Sequence, residues 1–118
     1  LTLSSGLETQ ALSRDQAIVD AYINDPYVHD RISAKLGHDM LERGLYALEH
    51  AVEWQHPLLL MHGTADRLSS APASEEFAKT AGEKVDLVLW EDNYHEIHND
   101  LEKEKVIQKM VQWLDQHI

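Results

Sequence analysis

Cysteine is absent from the 118-residue chain, which excludes disulfide bonds, thiolate catalysis and cysteine-ligated metal ions. No apolar run approaches the roughly 20 residues that a membrane-spanning helix requires. Residues 1–10 lack the basic stretch and apolar segment of a signal peptide. These absences exclude a secreted disulfide scaffold, and we expect a cytoplasmic protein. Because the first residue is not methionine, we also expect the chain to begin inside a longer protein.

Positive charge is scarce in this sequence. Ten Lys and Arg residues stand against 21 Asp and Glu residues, which gives a formal net charge of −11. A nucleic-acid-binding protein needs a basic surface to contact phosphates, and docking on anionic lipid needs charge of the same sign. We therefore expect no nucleic-acid partner and no electrostatic attachment to a membrane.

The first half of the chain has the apolar spacing of helices. The sequence Ser-Arg-Asp-Gln at residues 13–16 has the form of a capping box and predicts a helix over residues 17–23, which the following Asn-Asp-Pro ends. Apolar residues spaced by three to five predict a second helix over residues 31–54. Gly37 and Gly44 lie inside that pattern, and we expect a bend or a break there.

The second half alternates between strand and helix patterns. A short apolar run at residues 58–61 predicts a strand that is buried on both faces, and residues 86–90 predict a second strand. A helix capped by Ser69 or Ser70 is predicted between them, and a last helix capped by Asn99 is predicted after them. This order indicates an α/β fold with parallel strands and crossover helices. Two strands are too few for such a sheet, so we expect an incomplete one.

An acid and an imidazole follow the two predicted strands. Asp66 lies five residues after the first strand, and His95 lies five residues after the second. Active sites of open parallel sheets lie beyond the carboxyl ends of the strands, so these side chains could meet there as the acid and base of a catalytic triad. Two simpler interpretations stay open: the aspartate caps a turn, and the histidine is merely solvated.

Three stretches of the chain resemble one family. Residues 57–68, Pro-Leu-Leu-Leu-Met-His-Gly-Thr-Ala-Asp-Arg-Leu, are similar to the segment that holds the triad acid in the monoacylglycerol lipase and lysophospholipase group, also called serine aminopeptidase-like. Residues 90–100, Trp-Glu-Asp-Asn-Tyr-His-Glu-Ile-His-Asn-Asp, resemble its triad-histidine loop and identify His95 rather than His98 as the base. Residues 13–36 resemble the end of the cap of bacterial members.

The resemblance implies the C-terminal part of an α/β-hydrolase. Residues 1–56 would be cap helices and a linker, and residues 57–118 the strand–helix–strand–helix end of the core. The implied enzyme cleaves carboxylic esters of single-acyl lipids through a Ser-His-Asp triad that includes Asp66 and His95. It needs neither a metal nor an organic cofactor. Leu68 could touch the acyl chain, although core packing explains it equally well. The amphipathic cap permits a transient contact with lipid aggregates.

One departure from the family pattern limits these expectations. No Gly-x-Ser-x-Gly nucleophile motif is present, so the serine and the oxyanion hole are missing from this chain. We therefore expect no turnover by the chain alone. We expect it to pair with the missing N-terminal half of the fold, or to self-associate by exchanging elements between copies. The alternative is a non-catalytic binding or structural α/β domain. His95 and His98 lack a third placed ligand, so we expect no metal site.

Overall fold

A computed structural model describes all 118 residues, Leu1–Ile118. Four α-helices and two two-stranded sheets make up the chain. In chain order the elements are β1 (Thr2–Ser4), α1 (Gln16–Asn24), β2 (Arg31–Ser33), α2 (Ala34–Glu49), β3 (Leu58–Gly63), α3 (Ala71–Ala81), β4 (Val85–Trp90) and α4 (Lys103–His117). Short 3-10 turns lie at Thr9–Ala11, Ala51–Glu53, Gly82–Lys84 and Ile97–Asn99.

The second half of the chain forms a parallel β–α–β unit. Strands β3 and β4 pair in parallel, with a register that runs from Leu58 opposite Val85 to Gly63 opposite Trp90. Helix α3 connects them and packs against both strands. The carboxyl ends of the two strands are therefore level with each other. This arrangement confirms the strand–helix–strand order and the parallel pairing predicted from the sequence.

The helix predicted over residues 31–54 is wrong at both ends. Residues Arg31–Ser33 form β2, which pairs antiparallel with β1. Helix α2 begins only after Ser33, whose Oγ accepts a hydrogen bond from the backbone N–H of Leu36 at 3.0 Å. It ends at Glu49, and a separate 3-10 turn follows. Neither glycine breaks α2, which runs without interruption from Ala34 to Glu49.

Two predicted helix caps also differ from the structure. Helix α1 is capped by Asp15, whose carboxylate accepts from the N–H of Ala17 at 3.0 Å. Ser13 instead donates its hydroxyl to the carbonyl of Asn99 at 2.8 Å. Asn99 does not cap the last helix, because it lies in a 3-10 turn and α4 begins at Lys103. A long-range contact thus engages the Ser13 side chain, whereas the side chain of Asn99 donates to Glu96, three residues earlier in the chain.

Only 12 of the 118 residues are buried, which is few for a chain of this composition. Most of the buried residues lie in the segment just before or within α1 and in the loop between β4 and α4. The apolar faces of α2 and α4 stay exposed, at Leu36, Met40, Leu41, Leu45, Ile107, Met110, Val111 and Leu114. The predicted incomplete sheet is confirmed. No helix of the chain has both the length and the apolar character needed to cross a bilayer.

Candidate active site

Asp66 lies three residues beyond the end of β3, in a tight turn that holds its carboxylate. Its Oδ1 accepts from the backbone N–H groups of Leu68 at 2.7 Å and Ser69 at 3.1 Å. Its Oδ2 accepts from the Ser69 hydroxyl at 2.6 Å. The Asp66 side chain is only 2% exposed. The turn alone therefore fixes the orientation of the carboxylate, without a contribution from any other loop.

The environment of Asp66 keeps its carboxylate ionised. Burial raises the pKa of Asp66, because the charged form loses hydration. Hydrogen bonds from the Ser69 hydroxyl, from His95 and from the two backbone N–H groups act in the opposite direction and dominate. Together they lower the pKa of Asp66 from its ordinary value of 3.8 to about 2. At neutral pH this group is a charged hydrogen-bond acceptor.

His95 lies in the loop after β4, and its ring reaches the acid. The His95 Nδ1 atom is 2.9 Å from Asp66 Oδ2. Because an ionised carboxylate can only accept, we assign the proton of this hydrogen bond to Nδ1. The neutral ring then carries its lone pair on Nε2, which makes no hydrogen bond within the chain. The side chain is 39% exposed, so this atom is available to a group from outside the chain.

Gly63 allows the loop after β3 and the loop after β4 to approach each other closely. A Cβ atom at Gly63 would lie 2.2 Å from the carbonyl oxygen of Asn93 and 2.5 Å from that of Tyr94. Only a residue without a side chain permits this approach. The loops are then joined by backbone hydrogen bonds, from Thr64 N to Trp90 O at 2.9 Å and from Ala65 N to Asn93 O at 3.1 Å.

The N-terminal segment supports the histidine loop from its other side. The N–H of His95 donates to the carbonyl of Ala11 at 3.3 Å, and the N–H of Glu96 donates to that of Leu12 at 2.8 Å. Ala11 and Leu12 are both buried. The backbone around His95 is therefore held by residues that lie more than 80 positions earlier in the chain.

A buried ionic network strengthens this support. The Asp100 side chain is fully buried and accepts from Arg14 Nε at 2.7 Å and from the N–H of Tyr94 at 2.7 Å. Arg14 also donates to the side-chain oxygen of Asn93, which is fully buried. Burial raises the pKa of Asp100, but the N–H groups of Tyr94 and Leu101 and the Arg14 guanidinium outweigh it, so the pKa is lowered overall.

The sequence pattern indicates His62 only as part of the acid motif. In the structure its Nε2 lies 3.0 Å from Asp66 Oδ2, and its Nδ1 lies 2.7 Å from the Ser74 hydroxyl. The pattern likewise predicts only a helix cap for Ser69, whereas its hydroxyl donates a hydrogen bond to the Asp66 carboxylate. The closeness of His62 to Asp66 in the sequence was the one available signal, since a strand end followed by a tight turn brings these positions together.

Two other predicted positions have different surroundings. Leu68 is half-buried, its backbone N–H binds Asp66, and its side chain lines none of the surface clefts of the chain. Its contact with an acyl chain stays a prediction. His98 is exposed and makes no side-chain hydrogen bond, in contrast to His95 in the same loop. The structure therefore brings Asp66 and His95 together and leaves His98 apart.

Known proteins and solved structures are similar to this chain. An uncharacterised abhydrolase domain-containing protein of Dictyostelium discoideum is 34% identical over 119 residues, covering 99% of this chain and 13% of its own length. The monoacylglycerol lipase of Mycolicibacterium smegmatis is 32% identical over 114 residues, covering 95% of this chain and 41% of its own length. The crystal structure of Paleococcus ferrophilus monoacylglycerol lipase superposes with a TM-score of 0.96 at 35% identity, over 100% of this chain and 47% of that one.

These matches confirm the resemblance stated from the motifs and the α/β-hydrolase fold. The chain spans less than half the length of each of these three proteins, which agrees with an incomplete sheet. The family described as serine aminopeptidase, S33, matches residues 1–102. The chain therefore belongs to the serine aminopeptidase family, S33, and corresponds to a C-terminal part of its α/β-hydrolase fold.

Proposed function

We propose that this chain supplies the acid and the base of a Ser-His-Asp triad in a hydrolase of carboxylic esters. The observation that carries the proposal is the 2.9 Å hydrogen bond between Asp66 Oδ2 and His95 Nδ1, beyond the level ends of two parallel strands. Asp66 orients the ring and stabilises the imidazolium that forms during the reaction, and the unpartnered Nε2 of His95 is the proton acceptor.

The reaction follows from these roles. A serine from another segment attacks the ester carbonyl while His95 Nε2 takes its proton. His95 then donates that proton to the leaving alcohol, and an acyl-enzyme remains. Water, activated by the same nitrogen, attacks the acyl-enzyme and releases the fatty acid. No metal or organic cofactor takes part in these steps.

The substrate class is an ester with one acyl chain, of the monoacylglycerol or lysophospholipid type. Support comes from two similar proteins that are named monoacylglycerol lipases. We assign residues 1–56 to the cap and linker and residues 57–118 to the catalytic core. In support of this division, the two helices of the first segment leave apolar side chains exposed, among them Leu36, Met40 and Leu41 of α2. An apolar cap surface of this kind suits an acyl chain and a transient contact with lipid aggregates.

The chain alone is inactive in this proposal, because it has no serine in a nucleophile motif. Its binding partner is the remainder of the hydrolase sheet. Strand β3 pairs only with β4, so its other edge has unpaired backbone groups. An open apolar cleft of about 460 Å³ lies beside that strand, lined by Leu48, Trp54, Leu58, Leu60 and Phe77 among others.

A fluorophosphonate probe tests the catalytic part of the proposal, because it reacts with a serine only where a base activates it. The complete protein, in which this chain is joined to the nucleophile-bearing segment, is expected to be labelled, and the isolated chain is not. His95→Ala and Asp66→Asn are expected to slow labelling by at least a factor of about 1,000. His98→Ala is the matched control and is expected to react like the wild type.

Equal labelling of the complete protein and its His95→Ala variant contradicts the catalytic roles. Absence of labelling in every form favours a non-catalytic binding or structural domain instead. Sedimentation of the isolated chain tests the partner claim. We expect self-association that disappears when the nucleophile-bearing segment is added, because both associations use the exposed edge and apolar faces. A stable monomer at all concentrations contradicts it.

A further inference from the structure

His62 is a second imidazole on the acid, and the triad as described does not use it. Its side chain is 12% exposed and lies at the end of β3. Nδ1 forms a hydrogen bond of 2.7 Å with the Ser74 hydroxyl on α3. Nε2 forms one of 3.3 Å with the Ser69 hydroxyl and lies 3.0 Å from Asp66 Oδ2. Two elements therefore fix the plane of the ring, and one of its contacts is the catalytic carboxylate.

The ionisation of Asp66 decides which tautomer His62 adopts. A carboxylate offers no proton, so the contact requires an N–H on His62 Nε2. In the neutral ring Nδ1 then carries the lone pair and accepts the hydrogen bond from the Ser74 hydroxyl. Ser74 thus sets the direction in which the imidazole donates, in the same way that Asp66 sets the tautomer of His95.

Three polar groups surround Asp66 Oδ2. Ser69 Oγ lies at 2.6 Å, His95 Nδ1 at 2.9 Å and His62 Nε2 at 3.0 Å. The first two form hydrogen bonds with this oxygen, which fill its roughly two acceptor positions, and His62 Nε2 lies close to its charge. The partial positive charge on the Nε2–H group of His62 therefore weakens the pull of the same oxygen on the proton of His95. The contact of Nε2 with the Ser69 hydroxyl also holds the group that donates to the carboxylate.

We propose that His62 is a positioning residue of the triad, which fixes the Asp66 carboxylate and moderates its interaction with His95. This inference rests on the proposed function. Among charged or titratable groups, Asp66 on its own loop and His95 on the loop after β4 lie in the same small cleft as His62, together with Ser69. Helix α3 contributes the uncharged hydroxyl of Ser74.

The test compares two substitutions in the complete protein, with short-chain acyl ester hydrolysis followed from pH 5 to pH 9. His62→Leu removes the donor, whereas His62→Gln keeps an N–H at a similar reach. For His62→Leu we expect kcat to fall about tenfold with KM unchanged, because the polar contacts that orient the Asp66 carboxylate and Ser69 are lost. The acidic limb of kcat/KM is expected to move to higher pH, since Asp66 then holds the His95 proton more strongly.

His62→Gln is expected to restore most of kcat and return the limb towards its wild-type position. Ser74→Ala leaves the ring in place and removes only the hydroxyl that selects its tautomer, so it provides a second test if His62→Leu fails to fold. We expect from it a smaller shift in the same direction. The proton resonance of His95 Nδ1, observed by NMR, is expected to move further downfield in His62→Leu, because that hydrogen bond becomes stronger.

A purely structural role for His62 predicts a different result. In that case His62→Leu lowers the midpoint of unfolding but changes neither the acidic limb of kcat/KM nor the His95 Nδ1 proton resonance, and His62→Gln restores no activity. That outcome, or identical limbs in wild type, His62→Leu and Ser74→Ala, overturns the inference. His95→Ala separates it from the proposed function. An inactive His95→Ala with unchanged His62 variants rejects the positioning role alone, and an active His95→Ala rejects the triad itself.

Discussion

Gly63→Ala is the substitution for which the structure predicts the largest effect of a single added carbon. The new Cβ would lie 2.2 Å from the Asn93 carbonyl oxygen and 2.5 Å from that of Tyr94. Both atoms belong to the backbone and cannot rotate away. The backbone angle φ of Gly63 is not positive, so the effect comes from contact and not from conformation. A normal contact requires the histidine loop to retreat by about 1 Å.

The size of the effect follows from this displacement. Overpacking of this kind costs about 1–3 kcal/mol. The hydrogen bond from Ala65 N to Asn93 O, now 3.1 Å long, is lost or stretched, which adds about 1 kcal/mol. Alanine also lowers the conformational entropy of the unfolded chain, which offsets about 0.5 kcal/mol of this destabilisation. We expect a net destabilisation of about 1.5–3.5 kcal/mol, a large part of the roughly 5–15 kcal/mol that stabilises a typical domain.

Urea unfolding of the complete protein measures this change, and Gly44→Ala is the matched control. Gly44 lies inside α2 with no atom within 4 Å of its would-be Cβ, apart from its own helix backbone. The Gly44→Ala substitution is expected to stabilise the protein by about 1 kcal/mol, because alanine has the higher helix propensity. Because His95 moves with its loop, Gly63→Ala is also expected to lower kcat on the order of 100-fold. A Gly63→Ala protein with wild-type stability and activity would refute the close approach described here.

Three further predictions concern charge. The pKa of Asp66 in the folded chain is about 2, below its ordinary 3.8, so its carboxylate stabilises the fold above about pH 4 and loses this effect as the pH falls towards 2. Asp66→Asn is therefore expected to lower the free energy of unfolding by about 2 kcal/mol at pH 7, with the difference from wild type closing near pH 2 in urea titrations. Arg14→Met leaves the buried Asp100 carboxylate without its cation and is expected to cost about 3–5 kcal/mol, again by urea unfolding; a wild-type midpoint contradicts the network. Arg67→Met breaks an ion pair with Glu8 in which both side chains are about half exposed, and its thermal midpoint is expected to match wild type within error.

The sequence predicted the features that depend on local pattern. The apolar runs after Pro57 and before Glu91 predicted β3 and β4. Because active sites lie beyond the carboxyl ends of parallel strands, the sequence also predicted that Asp66 and His95 meet, as they do in the structure. Both elements are short, continuous and bounded by turn residues. Their parallel pairing followed from the helix between them, so no long-range information was needed.

The remaining features depend on contacts between distant segments. Local spacing predicts a helix for the three residues of β2, because they fit a helical period and their pairing with β1 is not visible in that spacing. Ser13 has the pattern of a cap, but its hydroxyl binds a carbonyl 86 residues away. His62 required the three-dimensional turn at Asp66 before its second partner on α3 could be recognised. Periodicity describes one segment at a time and therefore misses these features.

The separations along the chain also determine an order of assembly. The contact between Asp66 and His95 closes a loop of 29 residues, whereas the bond from Arg14 to Asp100 closes one of 86. The entropic cost of closure grows with the logarithm of length, so the longer loop costs about 1 kcal/mol more. During refolding the acid–base pair is therefore expected to form first. Residues 11–14 pack against the loop after β4 in a later and slower step, and Arg14 substitutions should accelerate unfolding far more than they retard refolding.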